Sequence, residues 1–444
     1  MSFPAYSAYK DSGVAGIEAV PADWSILPLK ATASWNDDVL PETTPFDHVI
    51  QYVEISGVDP MAGIFDVTKI AFADAPSRAR RKVRDGDVLV STVRTYLRAI
   101  APVVAPPENM IASTGFAVVR PRGVHSGYLS YLLRSEYIVG EIISRSVGVS
   151  YPAISANELM RIKAPMPADR AEQAAIAAFL DRETGKIDAL VAEQEKLIDL
   201  LKEKRQAVIS HAVTKGLDPN APMKDSGVEW LGEVPEHWEV VKLRRVVETV
   251  QTGGTPSSAP PEAEIDGGVD WFTPGDFSGA IRTGSAAKKV PPEAVQAGEV
   301  KVFPPGSVLV VGIGATLGKA AFLSVPASAN QQINTILPSP SLDGLFLAYS
   351  LSGKVAEMRF LSNASTIGIM NQEKTKEIWL AVPPLNEQRR IASYIDRCGA
   401  TFDALITESQ RAIDLLKERR AALISAAVTG KIDVRGLVTQ EEAA

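Results

Sequence analysis

A chain of 444 residues with 45% hydrophobic composition is long enough for two to four domains with proper cores. Its single cysteine, Cys398, excludes an intramolecular disulfide and any multi-cysteine metal cluster, and points to a reducing, cytoplasmic setting. The formal charge of −7 argues mildly against a nucleic-acid partner, and no apolar run approaches the roughly 18 residues of a membrane span.

The chain opens on a short head, Lys10-Asp11-Ser12-Gly13-Val14 followed by Val20-Pro21 and Trp24. A first body, roughly residues 35 to 165, follows. It reads as short β-rich runs, such as Val88-Leu89-Val90 and Phe116-Ala117-Val118-Val119, between turns rich in Gly and Pro. Residues 1–165 are close to neutral, with 16 basic and 17 acidic side chains. They nevertheless carry a basic patch: Arg78, Arg80, Arg81, Lys82 and Arg84 lie within seven residues, and Arg94 and Arg98 follow. Arg94-Thr95-Tyr96-Leu97-Arg98 sets two guanidinium groups and an aromatic after a strand, a combination suited to base edges and DNA backbone. Ser146 to Tyr151, with Ser150 and Tyr151 as candidate contacts, forms a polar loop before the last strand of this body.

From about Arg170 to Val213 the apolar positions Ile176, Leu180, Ile187, Leu190 or Val191, Leu197, Leu201, Val208 and Val213 recur at helical spacing. Some 40 helical residues make a rod of roughly 60 Å, with Gly185 a candidate interruption. An isolated helix of that length cannot bury its stripe.

The head then returns as Lys224-Asp225-Ser226-Gly227-Val228, Val234-Pro235 and Trp238, displaced by 214 positions. A second body, roughly 245 to 382, contains the turn Thr252-Gly253-Gly254-Thr255-Pro256-Ser257 and the strand Val308-Leu309-Val310-Val311. Arg282, Lys288, Lys289, Lys301 and Lys319 supply its positive charge, and Asn330-Gln331-Gln332 offers amides of the kind that read adenine. Ser362 to Met370, including Thr366, is the counterpart of the first body's polar loop.

The last fifty residues repeat the first helical region at a constant separation of 215. Glu172-Gln173 returns as Glu387-Gln388, Asp181-Arg182 as Asp396-Arg397, and Ile198 to Glu203 as Ile413 to Glu418. About half of the positions from Glu172 to Asp218 are identical to their partners, and Gly399 marks the matching interruption. So long a period is no solenoid repeat; one chain carries two copies of a whole module. The simplest way to bury two near-identical stripes is against each other, as an antiparallel coiled coil, though each could instead bind a separate subunit.

Catalytic constellations are missing. The stretch from Gly312 to Lys319, with Thr316, resembles a phosphate loop. A Walker A loop, however, needs four residues between its glycines and a hydroxyl after the lysine, whereas Gly314 and Gly318 are separated by three and Ala320 follows. No acidic residue stands where a dinucleotide ribose would need one, so a hairpin with close backbone approach is the better reading. His48, His125, His211 and His237 are scattered singly, without metal or nucleophile spacing.

Two variable bodies, each opened by Val-Pro-x-x-Trp and closed by a Pro-containing lead into Glu-Gln-x-x-Ile-Ala and a long helix, resemble the specificity subunit of type I restriction-modification systems. The stretches 234–243, Thr-Gly-Gly-Thr-Pro-Ser at 252–257, Trp271 to Asp276 and Pro383-Pro384-Leu385-Asn386-Glu387-Gln388 carry that resemblance. It implies an α+β protein with two mixed α/β target-recognition domains, 1–166 and 221–382, separated by conserved helical regions, 167–220 and 383–444. Each domain is then expected to read one half of a bipartite site on double-stranded DNA. The helices would act as a ruler and as the dock for two methyltransferase subunits; restriction/translocase subunits complete the assembly. No cofactor is expected in this chain, with S-adenosylmethionine and ATP held by partners, and no catalytic activity. Two rivals stand beside it: a coiled-coil adaptor that joins two proteins without touching DNA, and a nucleotide-dependent enzyme using Gly312 to Lys319.

Overall fold

The computed structural model describes residues 3–258, 260–277, 279–362 and 368–438. The chain divides into two compact units, one of residues 1–196 with 409–444 and one of residues 197–408. Each unit therefore holds one head, one body and half of each long helix.

In the first unit, strand Val88–Ser91 lies between Ile100–Pro102 and Phe116–Pro121, with Ala33–Trp35 at the far edge. In the second, Val308–Val311 lies between Ala320–Phe322 and Ile333–Pro338, with Val247–Thr252 at the edge. All these pairings are antiparallel. Each unit adds a second sheet built on one parallel pair, Val49–Val53 with Met110–Ser113 and Val269–Phe272 with Ser328–Ala329. The last strand of each body returns to its head, Lys163–Met166 to Ser25–Pro28 and Trp379–Val382 to Glu239–Lys242. The central strands read Val-Leu-Val-Ser and Val-Leu-Val-Val and are buried throughout, as β-branched residues covered on both faces should be. Two bodies with little sequence in common thus share one topology.

Helix α1 (Ser126–Leu133) backs the first sheet, and α2 (Arg170–Lys215) is the first rod; α3 (Gly344–Ser352) and α4 (Leu385–Val428) are their counterparts. The residues repeated in sequence hold these helices to the bodies. Glu172 accepts hydrogen bonds from the Trp24 indole and the Tyr6 hydroxyl, and Glu387 accepts one from the Trp238 indole. Gln173 and Gln388 each accept the backbone amide of an N-cap residue, His125 ahead of α1 and Asp343 ahead of α3, and donate to a proline carbonyl, of Pro167 and Pro383. Tyr131 of α1 donates to Asp181, and Tyr349 of α3 to Asp396. The far ends of the rods also meet the heads. A Cβ on Gly216, just past α2, would lie 3.3 Å from Trp238, and one on Gly430, just past α4, 2.2 Å from Pro21.

Both rods are continuous, so the interruption expected at Gly185 and Gly399 does not occur. A glycine costs a helix about 1 kcal/mol, which packing along the rod outweighs. With no phase break, the stripe keeps a seven-residue period through Thr184, Val191, Ile198 and Ala212, all buried. Of the alternatives Leu190 and Val191 it is Val191 that is buried; Leu197, expected inside, is exposed, while Ile198 and Ile209 take buried places. In the first unit α2 meets α4 through Asp188 and Arg420, and in the second through Arg205 and Asp403. As one chain number rises the other falls, so the two helices pair antiparallel.

Candidate nucleic-acid interface

The two central hairpins match residue for residue. Val88 pairs with Pro102 and Val90 with Ile100; 220 positions on, Val308 pairs with Phe322 and Val310 with Ala320. The Leu97 amide donates to Arg94, and the Leu317 amide to Gly314. Loops 92–99 and 312–319 are therefore one structural element used twice. Tyr96 and Thr316, selected from sequence on separate grounds, occupy the same position in it. The hairpin read for Gly312 to Lys319 is present, and Lys319 donates to the carbonyl of Phe277.

In the first body this loop is braced by the segment before the last strand. Val93 and Val147 both bridge to Ala153, and the Thr95 and Ser146 hydroxyls are 2.8 Å apart. The Arg94 guanidinium lies over the Tyr151 ring, 4.8 Å from its centroid. Both side chains are exposed, as are Tyr96, Leu97, Val147, Val149 and Ser150. Together with Glu54, Ile55, Ser56 and Arg78, Val93, Arg94, Leu97 and Tyr151 line an open cleft of about 470 Å³.

The basic residues chosen from sequence do not form one patch. Arg78 pairs with Glu54, Arg84 with Asp38 and Arg98 with Glu136. Arg80 lies over Phe72 and donates to its neighbour's carbonyl. Arg81 is half-buried with its Nε unpartnered, and burial lowers its pKa. Lys82 is exposed at the strand end, beside a second cleft that includes His48. Arg120, which sequence reading passed over, forms a two-pronged pair with buried Asp87, at 2.9 and 2.8 Å, and reaches Asp38. These contacts raise the Arg120 pKa and tie one edge of the sheet together.

In the second body Thr255 donates to Gln331, so two predicted contacts meet at one loop edge. Thr252 bonds Asn334, and Gln332 is joined to Asn330. Glu299 fastens the same turn by accepting hydrogen bonds from the Ser258 side chain and from the amides of Ser258 and Ser257, which hold its carboxyl down at about 2. Arg282 is exposed, yet it lies over Phe322 and pairs with Asp396 of the frame. Lys288 is exposed and Lys289 half-buried, at the short edge strand Lys289–Val290. Thr366 lies outside the described residues. His237 meets Glu387, and among the described residues no group of three His, Cys, Asp or Glu is placed to hold a metal.

Residues 235–414 match the family model described as type I restriction modification DNA specificity domain. Over 94% of its length the chain is 23% identical to 96% of the putative type I restriction enzyme MjaX specificity subunit of Methanocaldococcus jannaschii. Residues 235–414 thus match a type I restriction-modification DNA specificity domain, and nearly the whole chain is similar to a specificity subunit.

Two solved structures share this fold. One chain, from a study of complex assembly and conformational transition of the type I R-M system, matches with a TM-score of 0.72 and 24% identity over 93% of this chain and 99% of its own. The HsdS subunit of Thermoanaerobacter tengcongensis matches with a TM-score of 0.51 and 25% identity over 93% and 98%. The family model covers the second body and much of α4 but not the first body. For that half of the chain, the shared hairpin register and sheet order carry the equivalence of the two bodies. Among the described residues no helix is long and apolar enough to cross a membrane.

Proposed function

We propose that this specificity subunit reads a split DNA target, each body contacting one half-site through its hairpin loop and the polar segment beside it. The observation that carries the reading is one topology used twice on a repeated frame, with the loops at corresponding places chemically different: Arg94 to Arg98 in one body, Gly314 to Gly318 in the other. A constant frame with variable loops is how a scaffold presents two different recognition surfaces. The paired helices fix the unread spacer and dock two methyltransferase subunits, which hold S-adenosylmethionine and methylate adenine. Restriction/translocase subunits, using ATP, join that assembly in the cytoplasm, and the specificity subunit itself performs no chemistry. Basic partners closing around the duplex supply the counterion release that a chain of charge −7 lacks.

Band-shift titrations of the reconstituted complex at several salt concentrations test this reading. Affinity should fall linearly with log salt, because phosphate contacts release counterions. Absence of any DNA complex, at any salt, would favour a coiled-coil adaptor instead.

A further inference from the structure

Among the described residues, five non-glycine residues of the first unit have positive φ, Asn36, Arg94, Arg98, Ala105 and Asn109, and the two arginines flank the hairpin loop. Both occupy the left-handed region, with φ of 51° and 53°. Their counterparts in the second body, by hairpin register, are Gly314 and Gly318, with φ of 85° and 87°. The turn demands that conformation, and glycine meets the demand without strain. Arginine is rarely found there, and residues held in such regions cluster at functional sites.

The two arginines then diverge. Arg98 is engaged by Glu136. Arg94 has no carboxylate within ion-pair distance among the described residues, and its guanidinium lies over the Tyr151 ring. An exposed guanidinium stacked on an aromatic keeps its fork of donors in a fixed plane while leaving their outer edge open. That edge matches the paired acceptors O6 and N7 of guanine in the major groove. The hydroxyl bond between Thr95 and Ser146 and the bridges through Ala153 hold loop and platform together.

The geometry points to Arg94 as a base-reading residue that selects a guanine in one half of the target, with Tyr151 as its positioning residue. This inference rests on the split-target reading above. It commits that reading to one residue, one base type and one body.

The test uses the full chain co-expressed with its methyltransferase subunits in a host free of other adenine methylation, with the methylated motif read by genome sequencing. Arg94→Gly copies the second body, so it should fold and melt no lower than wild type. In this variant one guanine of one half-site should become degenerate, with methylation of the wild-type site falling about 10- to 100-fold. Arg94→Lys keeps charge without the fork and should not restore guanine selection. Tyr151→Phe should retain it, and Tyr151→Ala should lose it. If Arg94→Gly methylates the wild-type motif at the wild-type rate, the assignment is wrong. The assignment is equally wrong if Arg94→Gly lowers the melting temperature, which makes the residue structural. A wild-type complex that yields no split motif overturns the parent reading as well, and is recognised before any variant is compared.

Discussion

Arg420 donates to both carboxylate oxygens of Asp188, at 2.8 and 3.2 Å, from 232 residues away. Arg205 and Asp403, the same two residue types exchanged between the rods, repeat the contact at 2.7 Å. Arg205 and Arg420 each fall on the seven-residue seam that otherwise carries Val191, Ile198 and Ala212, or Ile413 and Ala427. A charge at a seam position is costly unless paired, and the pair forms in only one antiparallel register.

The two pairs should differ in strength. Arg420 and Asp188 retain side-chain exposures of 10% and 38%, against 28% and 59% for Arg205 and Asp403. Arg420→Ala is therefore expected to cost about 1–2 kcal/mol, through the lost pair and the lost packing of its largely buried side chain, and Arg205→Ala no more than about 1 kcal/mol. Replacing both partners, as Arg420→Leu with Asp188→Ala, should recover most of the loss. Chemical denaturation of the full chain measures all three.

The rod ends offer a steric comparison. Gly430 has φ +74°, and a Cβ there would lie 2.2 Å from Pro21 Cδ; Gly216 has φ +75° with its nearest neighbour at 3.3 Å. Both pay for left-handed backbone when replaced by alanine, roughly 1 kcal/mol, but only Gly430→Ala also forces the head to move. Gly430→Ala should lower the melting temperature several degrees more than Gly216→Ala.

Acid should loosen the turn at 252–258 of the second body. Glu299 titrates at about 2 against an ordinary 4.5, because hydrogen bonds from Ser257 and Ser258 favour its charged form. A folded pKa below the unfolded one contributes stability that is complete above about 4.5 and is lost as pH falls toward 2. Trp271 donates to Gly254 in the same turn, so its indole resonance should shift across that window in wild type. In Glu299→Gln the resonance should stay near one position.

The frame was legible because its contacts reuse the same residues. Glu172 and Glu387, Gln173 and Gln388, and Asp181 and Asp396 repeat in sequence since each pair grips the same kind of partner. The equivalence of the bodies was not legible. Sheet pairing is non-local, and the corresponding strands align at different offsets, Val88 with Val308 but Val119 with Ile336, without shared residues. Charge alone also misled at single positions: Arg282 looked available, yet its partner Asp396 lies 114 residues on, in α4. What marked Arg94, a left-handed backbone, has no sequence signature until its glycine counterpart is aligned with it through the structure.

Mapping adenine methylation directed by the complex, before and after residues 35–165 are exchanged for the corresponding body of a relative, tests the central claim most directly. Two half-motifs separated by an unread spacer, with the exchange altering one half and leaving the other and the spacer unchanged, is the predicted result. A continuous motif, or an exchange that alters both halves, would contradict it.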